Sequence, residues 1–249
     1  MTVFNTDLDN TIIYSYKNDI GRFKRCVELY QGREISFVTD MTYELLKQVR
    51  QKMQVVPTST RTVEQYQRIN LGTGDFKYAL VCNGGILLVD GKSDEDWYRQ
   101  SLINISGSAT ALEKAMAVLE NDIRRNFELR FIERLFIFTK CSEPVNVIRE
   151  LKQMPGMDTV DIFNNGEKVY VVPKGLSKGM AVSRFREYIN ADYVIAAGDS
   201  EFDISMLKAA DKALAPFGFT KKYDIDFDIK EAAHNELFAE ALLTEALRG

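Results

Sequence analysis

The sequence predicts an α/β protein built on a doubly wound parallel sheet, interrupted by a smaller inserted α/β segment. Three observations predict it. Continuous apolar runs such as Tyr193-Val194-Ile195-Ala196-Ala197 are what strands buried on both faces require. Towards both ends of the chain such runs alternate with stretches of helical period. Between about 84 and 172 the order becomes helix, strand, strand, helix, strand, strand, which describes a small sheet covered by two helices. The chain therefore divides into a core in two parts, 1–83 and 173–249, and an inserted domain at 84–172.

Taken in order, residues 2–7 form the first strand. The stretch at about 12–40 is too long for an ordinary strand-to-helix loop. Within it, Cys26–Tyr30 and Arg33–Val38 alternate around Gln31-Gly32, a hairpin signal. Such a hairpin is either a decorative insertion or a flap over the end of the first strand. Residues 42–51 have helical spacing, and Val55-Val56-Pro57 is a short strand. Thr62 with Gln65 fits a capping box opening the next helix. Tyr78–Cys82 is a third strand, closed by Asn83-Gly84-Gly85.

In the insert, Ile86–Val89, a turn at Asp90-Gly91 and the segment around Trp97 read as a hairpin. A helix follows from Ser108 to about Arg125. Phe127–Ile132 and Leu135–Thr139 are strands, Glu143–Met154 a helix, and Thr159–Phe163 and Lys168–Val172 strands joined at Asn164-Asn165-Gly166. Beyond Pro173, Lys178–Ile189 is a helix and Tyr193–Ala197 a strand. Lys212–Ala215 is the last strand and Glu231–Leu247 the last helix.

The net charge of −4 carries no nucleic-acid footprint. No apolar run has the length of a membrane span, and the first residues lack the pattern of a signal peptide. Cys26, Cys82 and Cys141 are scattered, as in reduced cytoplasmic proteins. The expectation is a cytoplasmic protein without nucleic-acid or membrane partners; oligomeric state is not legible.

Asp7 and Asp9 stand two apart at the end of the first strand, so they face the same way. Two crowded carboxylates repel unless a cation or a proton lies between them. That implies a metal, an acid/base pair, or both. In a doubly wound sheet, sites form at the carboxyl ends of the strands. The other ends carry Ser59, Lys178 at a helix start, and Asp199 with Asp203. Three carboxylates around one point fit a hard cation such as Mg2+. Lys178 opposes the dipole of its own helix; it either faces a bound anion or swings into water.

Asp7-Leu8-Asp9-Asn10-Thr11, Ser59 before Arg61, Lys178, and Gly198-Asp199-Ser200-Glu201-Phe202-Asp203 resemble, in order, the four motifs of the haloacid dehalogenase superfamily. The insert resembles the α/β cap of subclass IIB, the group of Cof-type and sucrose-phosphate-phosphatase-like enzymes. The resemblance covers essentially the whole chain. It implies a Rossmann-like core, a cap that closes over substrate, and Mg2+-dependent hydrolysis of a small phosphorylated metabolite, a phosphosugar being one candidate. By that likeness Asp7 is the nucleophile that forms an aspartyl-phosphate and Asp9 the general acid/base. Ser59 and Lys178 hold the phosphoryl oxygens, with Asn10 also on the substrate side. Mg2+ is held by Asp7, the Asp9 carbonyl and Asp199, with Asp203 a ligand through water or the orienter of Lys178.

Two positions depart from the pattern: Phe202 replaces the usual Asn, and Asn10 the usual Gly. Thr58 competes with Ser59 for the second motif, and Arg61 is expected to solvate a helix start. His234 is read as structural on the last helix and Trp97 as cap packing. Arg124, Arg125, Arg130 and Arg134 are expected to form a solvated face. A phosphosugar mutase, or a binding module that has lost turnover, are the competing readings.

Overall fold

A computed structural model of the protein describes residues 1–248. Strand β1 (Thr2–Thr6) runs into Asp7. The next segment is a three-stranded antiparallel sheet of β2 (Tyr14–Ser15), β3 (Lys24–Tyr30) and β4 (Arg33–Thr39). Helix α1 (Asp40–Lys52), opened by the Thr39 hydroxyl accepting the Thr42 N–H, leads to β5 (Gln54–Pro57). Helix α2 (Val63–Gln67) has the expected Thr62/Gln65 capping box. A second antiparallel sheet follows, of β6 (Tyr78–Val81), β7 (Ile86–Val89) and β8 (Lys92–Ser93).

The chain continues through α3 (Glu95–Ile105), α4 (Ala109–Glu120), β9 (Arg130–Ile132), β10 (Phe136–Lys140), α5 (Pro144–Gln153), β11 (Val160–Asn165) and β12 (Lys168–Pro173). It closes with α6 (Lys178–Tyr188), β13 (Tyr193–Ala197), α7 (Ile204–Lys208), β14 (Lys212–Ala215), α8 (Phe219–Tyr223), β15 (Lys230–Glu231) and α9 (Phe238–Arg248).

Two compact units result, Met1–Asp94 with Ser177–Gly249, and Glu95–Leu176. The first is the doubly wound core. Its sheet is parallel throughout, in the order β15-β14-β13-β1-β5. Phe4, Val55, Ile195 and Leu214 pack on one face against Leu46 and Val49 of α1 and Leu242 and Leu243 of α9. The alternate residues Val3, Val56, Val194 and Ala196 are buried as well, which is why these strands read as continuous apolar runs. Strand β6 sits beside β5 through the Thr58–Leu80 bridge and turns back antiparallel into β7. That pairing keeps residues 84–94 with the core, so the second unit starts at Glu95, where sequence spacing puts the boundary at 84.

The hairpin of β3 and β4 is present with Gln31 and Gly32 at its tip. It is rooted rather than loose, because Val27 and Val38 join the same core cluster as Phe4 and Leu46.

The second unit is the inserted α/β domain. Its antiparallel sheet has the order β11-β12-β10-β9. Ile137, Ile162, Val169 and Val171 bury one face against Leu112, Ala115 and Leu119 of α4 and Val147 and Leu151 of α5. The four arginines are mostly occupied locally: Arg124 by Asp122 and Glu150, Arg125 by the carbonyls of Leu119, Glu120 and Phe127, and Arg130 by Glu128.

Three elements differ from expectation. Trp97 lies in α3 rather than in a hairpin; it is buried there, and the β7–β8 hairpin is complete without it. Strand β14 is not the last, since Lys230–Glu231 adds a parallel edge strand too short to show a pattern. His234 precedes α9, exposed and edge-on to Phe217. Among the described residues no helix is long and apolar enough to cross a membrane.

Candidate active site

Asp7 is fixed by the sheet on both sides. Its N–H donates to the Ala197 carbonyl at 2.8 Å, and the Thr58 N–H donates to the Thr6 carbonyl at 2.8 Å. The first strand therefore delivers the Asp7 side chain between the ends of β13 and β5. Leu8 turns into the core, and Thr11, Ile12 and Ile13 all fold back onto its carbonyl.

Lys178 is the first residue of α6, with Ser177 as its cap. Only 1% of its side chain is exposed. Its Nζ lies 2.6 Å from Asp7 Oδ1 and 2.6 Å from Asp203 Oδ1. Burial alone would strip its charge, but the two carboxylates outweigh burial and hold its pKa above the usual lysine range. This answers why a cation opens that helix: it is directed into a nest of acids.

Asp203 is fully buried. Its Oδ2 accepts the N–H groups of Asp199 (3.0 Å) and Ser200 (2.9 Å) and the Ser200 hydroxyl (2.8 Å). Asp199 and Asp203 do not share a helical face. Asp199 lies in the loop, Glu201–Asp203 is a 3-10 turn, and the Asp203 carboxylate ties the two. Gly198 makes room for this, since a Cβ there would stand 2.3 Å from that of Asp203. Asp199 accepts a hydrogen bond from Thr11 at 3.3 Å.

Asp7, Asp199 and Asp203 offer carboxylate oxygens that all lie within 4.8 Å of one another. Burial pushes Asp199 up to about 7, helped by Asp203 and opposed by Lys178 and Thr11. Asp7 is also raised, by burial first and then by Asp203 and Asp199, against the pull of Lys178. Three carboxylates against one ammonium leave two negative charges when all are ionised, the charge of one divalent cation. An all-oxygen donor set with that deficit fits a hard ion such as Mg2+.

Ser59 is buried, its N–H on the Leu80 carbonyl and its Oγ accepting the Arg61 N–H. Thr58 is committed to the sheet: its hydroxyl accepts from Asn5 and donates to the Val56 carbonyl. The Thr58 hydroxyl is thus engaged both as donor and as acceptor within the protein. Asn10 adopts φ 58° in the tight turn, exposed, with its side chain accepting from Asn18.

Asp9 stands apart from the acid cluster. Its half-exposed carboxylate is gripped by Arg61, Nε to Oδ2 and Nη2 to Oδ1, each at 2.7 Å. Arg61 does not simply solvate a helix start. It is largely buried and also bonds Glu28, at 2.8 and 3.0 Å. Sequence reasoning passes over Glu28, which lies in a strand of alternating residues. A register shift beside it buries Val27 and Glu28 consecutively, and a bulge of that kind leaves little trace in an alternating pattern.

The sequence model of the haloacid dehalogenase-like hydrolases matches residues 92–215. That span holds Lys178, Asp199 and Asp203 but not Asp7, Asp9 or Ser59. A sequence search of curated proteins returns no match. Among solved structures, the sucrose-phosphatase of Synechocystis sp. PCC6803, in complex with sucrose and phosphate, is 16% identical. It has a TM-score of 0.67 over 99% of this chain and 97% of that one. A haloacid dehalogenase-like hydrolase from B. subtilis is 14% identical, with a TM-score of 0.60 over 99% of each chain. A trehalose-6-phosphate phosphatase of Aspergillus fumigatus is 13% identical, with a TM-score of 0.54 over 100% of this chain and 93% of that one. At these identities the likeness is one of fold. The matched segment, 124 of 249 residues, brings its lysine and two aspartates to the acid that ends the first strand, and over that segment the chain is similar to the haloacid dehalogenase-like hydrolases.

Proposed function

We propose that the protein is a phosphoric monoester hydrolase acting on a small phosphorylated metabolite, with sugar phosphates the first class to test. The observation that carries this reading is the buried Asp7–Lys178–Asp203 constellation, with Asp199 beside it, at the ends of parallel strands. A carboxylate repels a phosphate dianion, so it becomes a useful nucleophile only where positive charge is already in place. Lys178 supplies part of that charge and aims one Asp7 oxygen.

In this reading Asp7 and Asp199, with the Asp9 carbonyl, hold Mg2+, which when bound neutralises phosphate charge and leaves Asp7 ionised. Asp203, whose oxygens are taken by Lys178 and by its own loop, orients the lysine. Asp7 attacks phosphorus in line, and the bond to the leaving oxygen breaks as Asp9 delivers a proton to it. Ser59 and Lys178 steady the phosphoryl oxygens. Asp9 then takes a proton from water, the water oxygen attacks phosphorus, and the Asp7–phosphate bond breaks to give inorganic phosphate. The sugar class rests on the names of the structural relatives, sucrose-phosphatase and trehalose-6-phosphate phosphatase. Thiols at Cys26, Cys82 and Cys141 fit a reducing, cytoplasmic setting.

Phosphate release from a panel of phosphorylated sugars and other metabolites, with and without Mg2+, tests the reading. Mg2+-dependent release from at least one ester is expected, and Asp7→Asn should abolish it. A folded protein that releases phosphate from none of them would overturn it.

A further inference from the structure

We propose that Glu28, carried by the hairpin insertion, and Arg61 are positioning residues that set the Asp9 carboxylate for proton transfer to the leaving oxygen. This rests on the reading of Asp9 as the general acid. The two edges of the Arg61 guanidinium are each filled by a carboxylate. One edge takes Asp9 through Nε and Nη2, both at 2.7 Å; the other takes Glu28 through Nη1 and Nη2, at 2.8 and 3.0 Å. A planar fork used on both edges fixes orientation as well as distance. Nη1 also donates to the Gln65 carbonyl at 3.2 Å, so the fork is tied to α2.

Glu28 is itself immobile. Its side chain is fully buried, it accepts the Ser36 hydroxyl at 2.7 Å from the neighbouring strand β4, and Arg68 stands 3.3 Å away. A buried carboxylate is expensive unless paired. Here the nearer of its two arginine partners, Arg61, is also the one that grips the half-exposed carboxylate of Asp9. The hairpin is thereby part of the machinery: its β-bulge turns Glu28 inward, and the fork carries that placement to Asp9.

The leaving group separates positioning from mere support. p-Nitrophenolate departs as a stable anion and needs little protonation, whereas a sugar alkoxide needs a full proton. In Glu28→Gln the side-chain amide presents N–H groups to the guanidinium, and one edge of the fork is lost. With the full chain and Mg2+, kcat/KM for the best hexose phosphate of the panel should fall about tenfold or more. That for p-nitrophenyl phosphate should stay within about threefold, and KM for the hexose phosphate should barely move. Arg61→Lys keeps the charge but not the fork and should show the same split; it decides the matter if Glu28→Gln does not fold. Arg68→Gln removes a partner of Glu28 that does not touch Asp9, and should leave the ratio of the two esters unchanged. An equal loss on both esters overturns the positioning role while leaving the phosphatase reading intact. Failure of the unaltered protein to hydrolyse either ester overturns both.

Discussion

Lys178 and Asp199 show how one buried charge sets the terms for its neighbours. Lys178 faces two carboxylates at 2.6 Å and stays charged, while Asp199, lacking a cation of its own, is pushed up to about 7. A carboxyl raised in the fold above its ordinary 3.8 favours folding most when protonated. Its stabilising share is complete below about pH 4 and is lost as pH rises through about 7. In chelator the protein should therefore lose thermal stability between pH 5 and 8. Mg2+ binds the ionised form, so the rise in Tm that it causes should be larger at pH 8 than at pH 6, and Asp199→Asn should weaken both trends, Asp7, also raised by burial, keeping the remainder. Differential scanning calorimetry across that range checks the sign.

At the scale of elements, the site depends on where helices and strands begin. Thr39 ends β4 and opens α1: its hydroxyl accepts the Thr42 N–H at 2.9 Å and lies 2.7 Å from Glu240 on α9. One side chain thus caps one helix and fastens a second. Thr39→Ala should cost about 1–2 kcal/mol in denaturant unfolding, with Thr39→Ser recovering most of it. Neither should change kcat, because Thr39 touches none of Asp7, Asp9, Asp199 or Lys178. Elements with strong local signals were legible before any fold was known. The capping box at Thr62, the hairpin at Gln31-Gly32 and the apolar run at 193–197 each rest on neighbours in sequence. Helix α3 was not legible, because the alternation after Asp90-Gly91 reads as the second arm of a hairpin and hides the acidic helix start at Glu95 and Asp96. Strand β15 is two residues long and exists only because β14 offers it an edge.

For the molecule as a whole, it matters that each unit buries a hydrophobic cluster of its own among the described residues. Phe4, Leu46, Ile195 and Leu242 belong to one, and Leu119, Ile137, Leu151 and Val171 to the other. The acids that fit a cation all lie in the first unit. Leu119 is fully buried in the second, and Leu119→Ala should cost about 2–5 kcal/mol. Urea unfolding followed with and without Mg2+ should then resolve two transitions, one lowered by the substitution and the other raised by the metal. A single transition moved by both would show that the units unfold together.

The sequence by itself determined the α/β class, the inserted unit, and the candidates Asp7, Ser59, Lys178, Asp199 and Asp203. Strand and helix periods, caps and the four short motifs are local in the chain, and the parallel sheet can only bring strand ends to one edge. Tertiary structure decided the rest. It parted the Asp9 carboxylate from the Asp7 cluster and gave it to Arg61. It settled that the Thr58 hydroxyl serves the sheet, and it turned Glu28 inward. Those outcomes depend on a bulge and on contacts between residues 33 and 52 positions apart, and no periodicity in a single strand encodes which distant charge a buried carboxylate will meet.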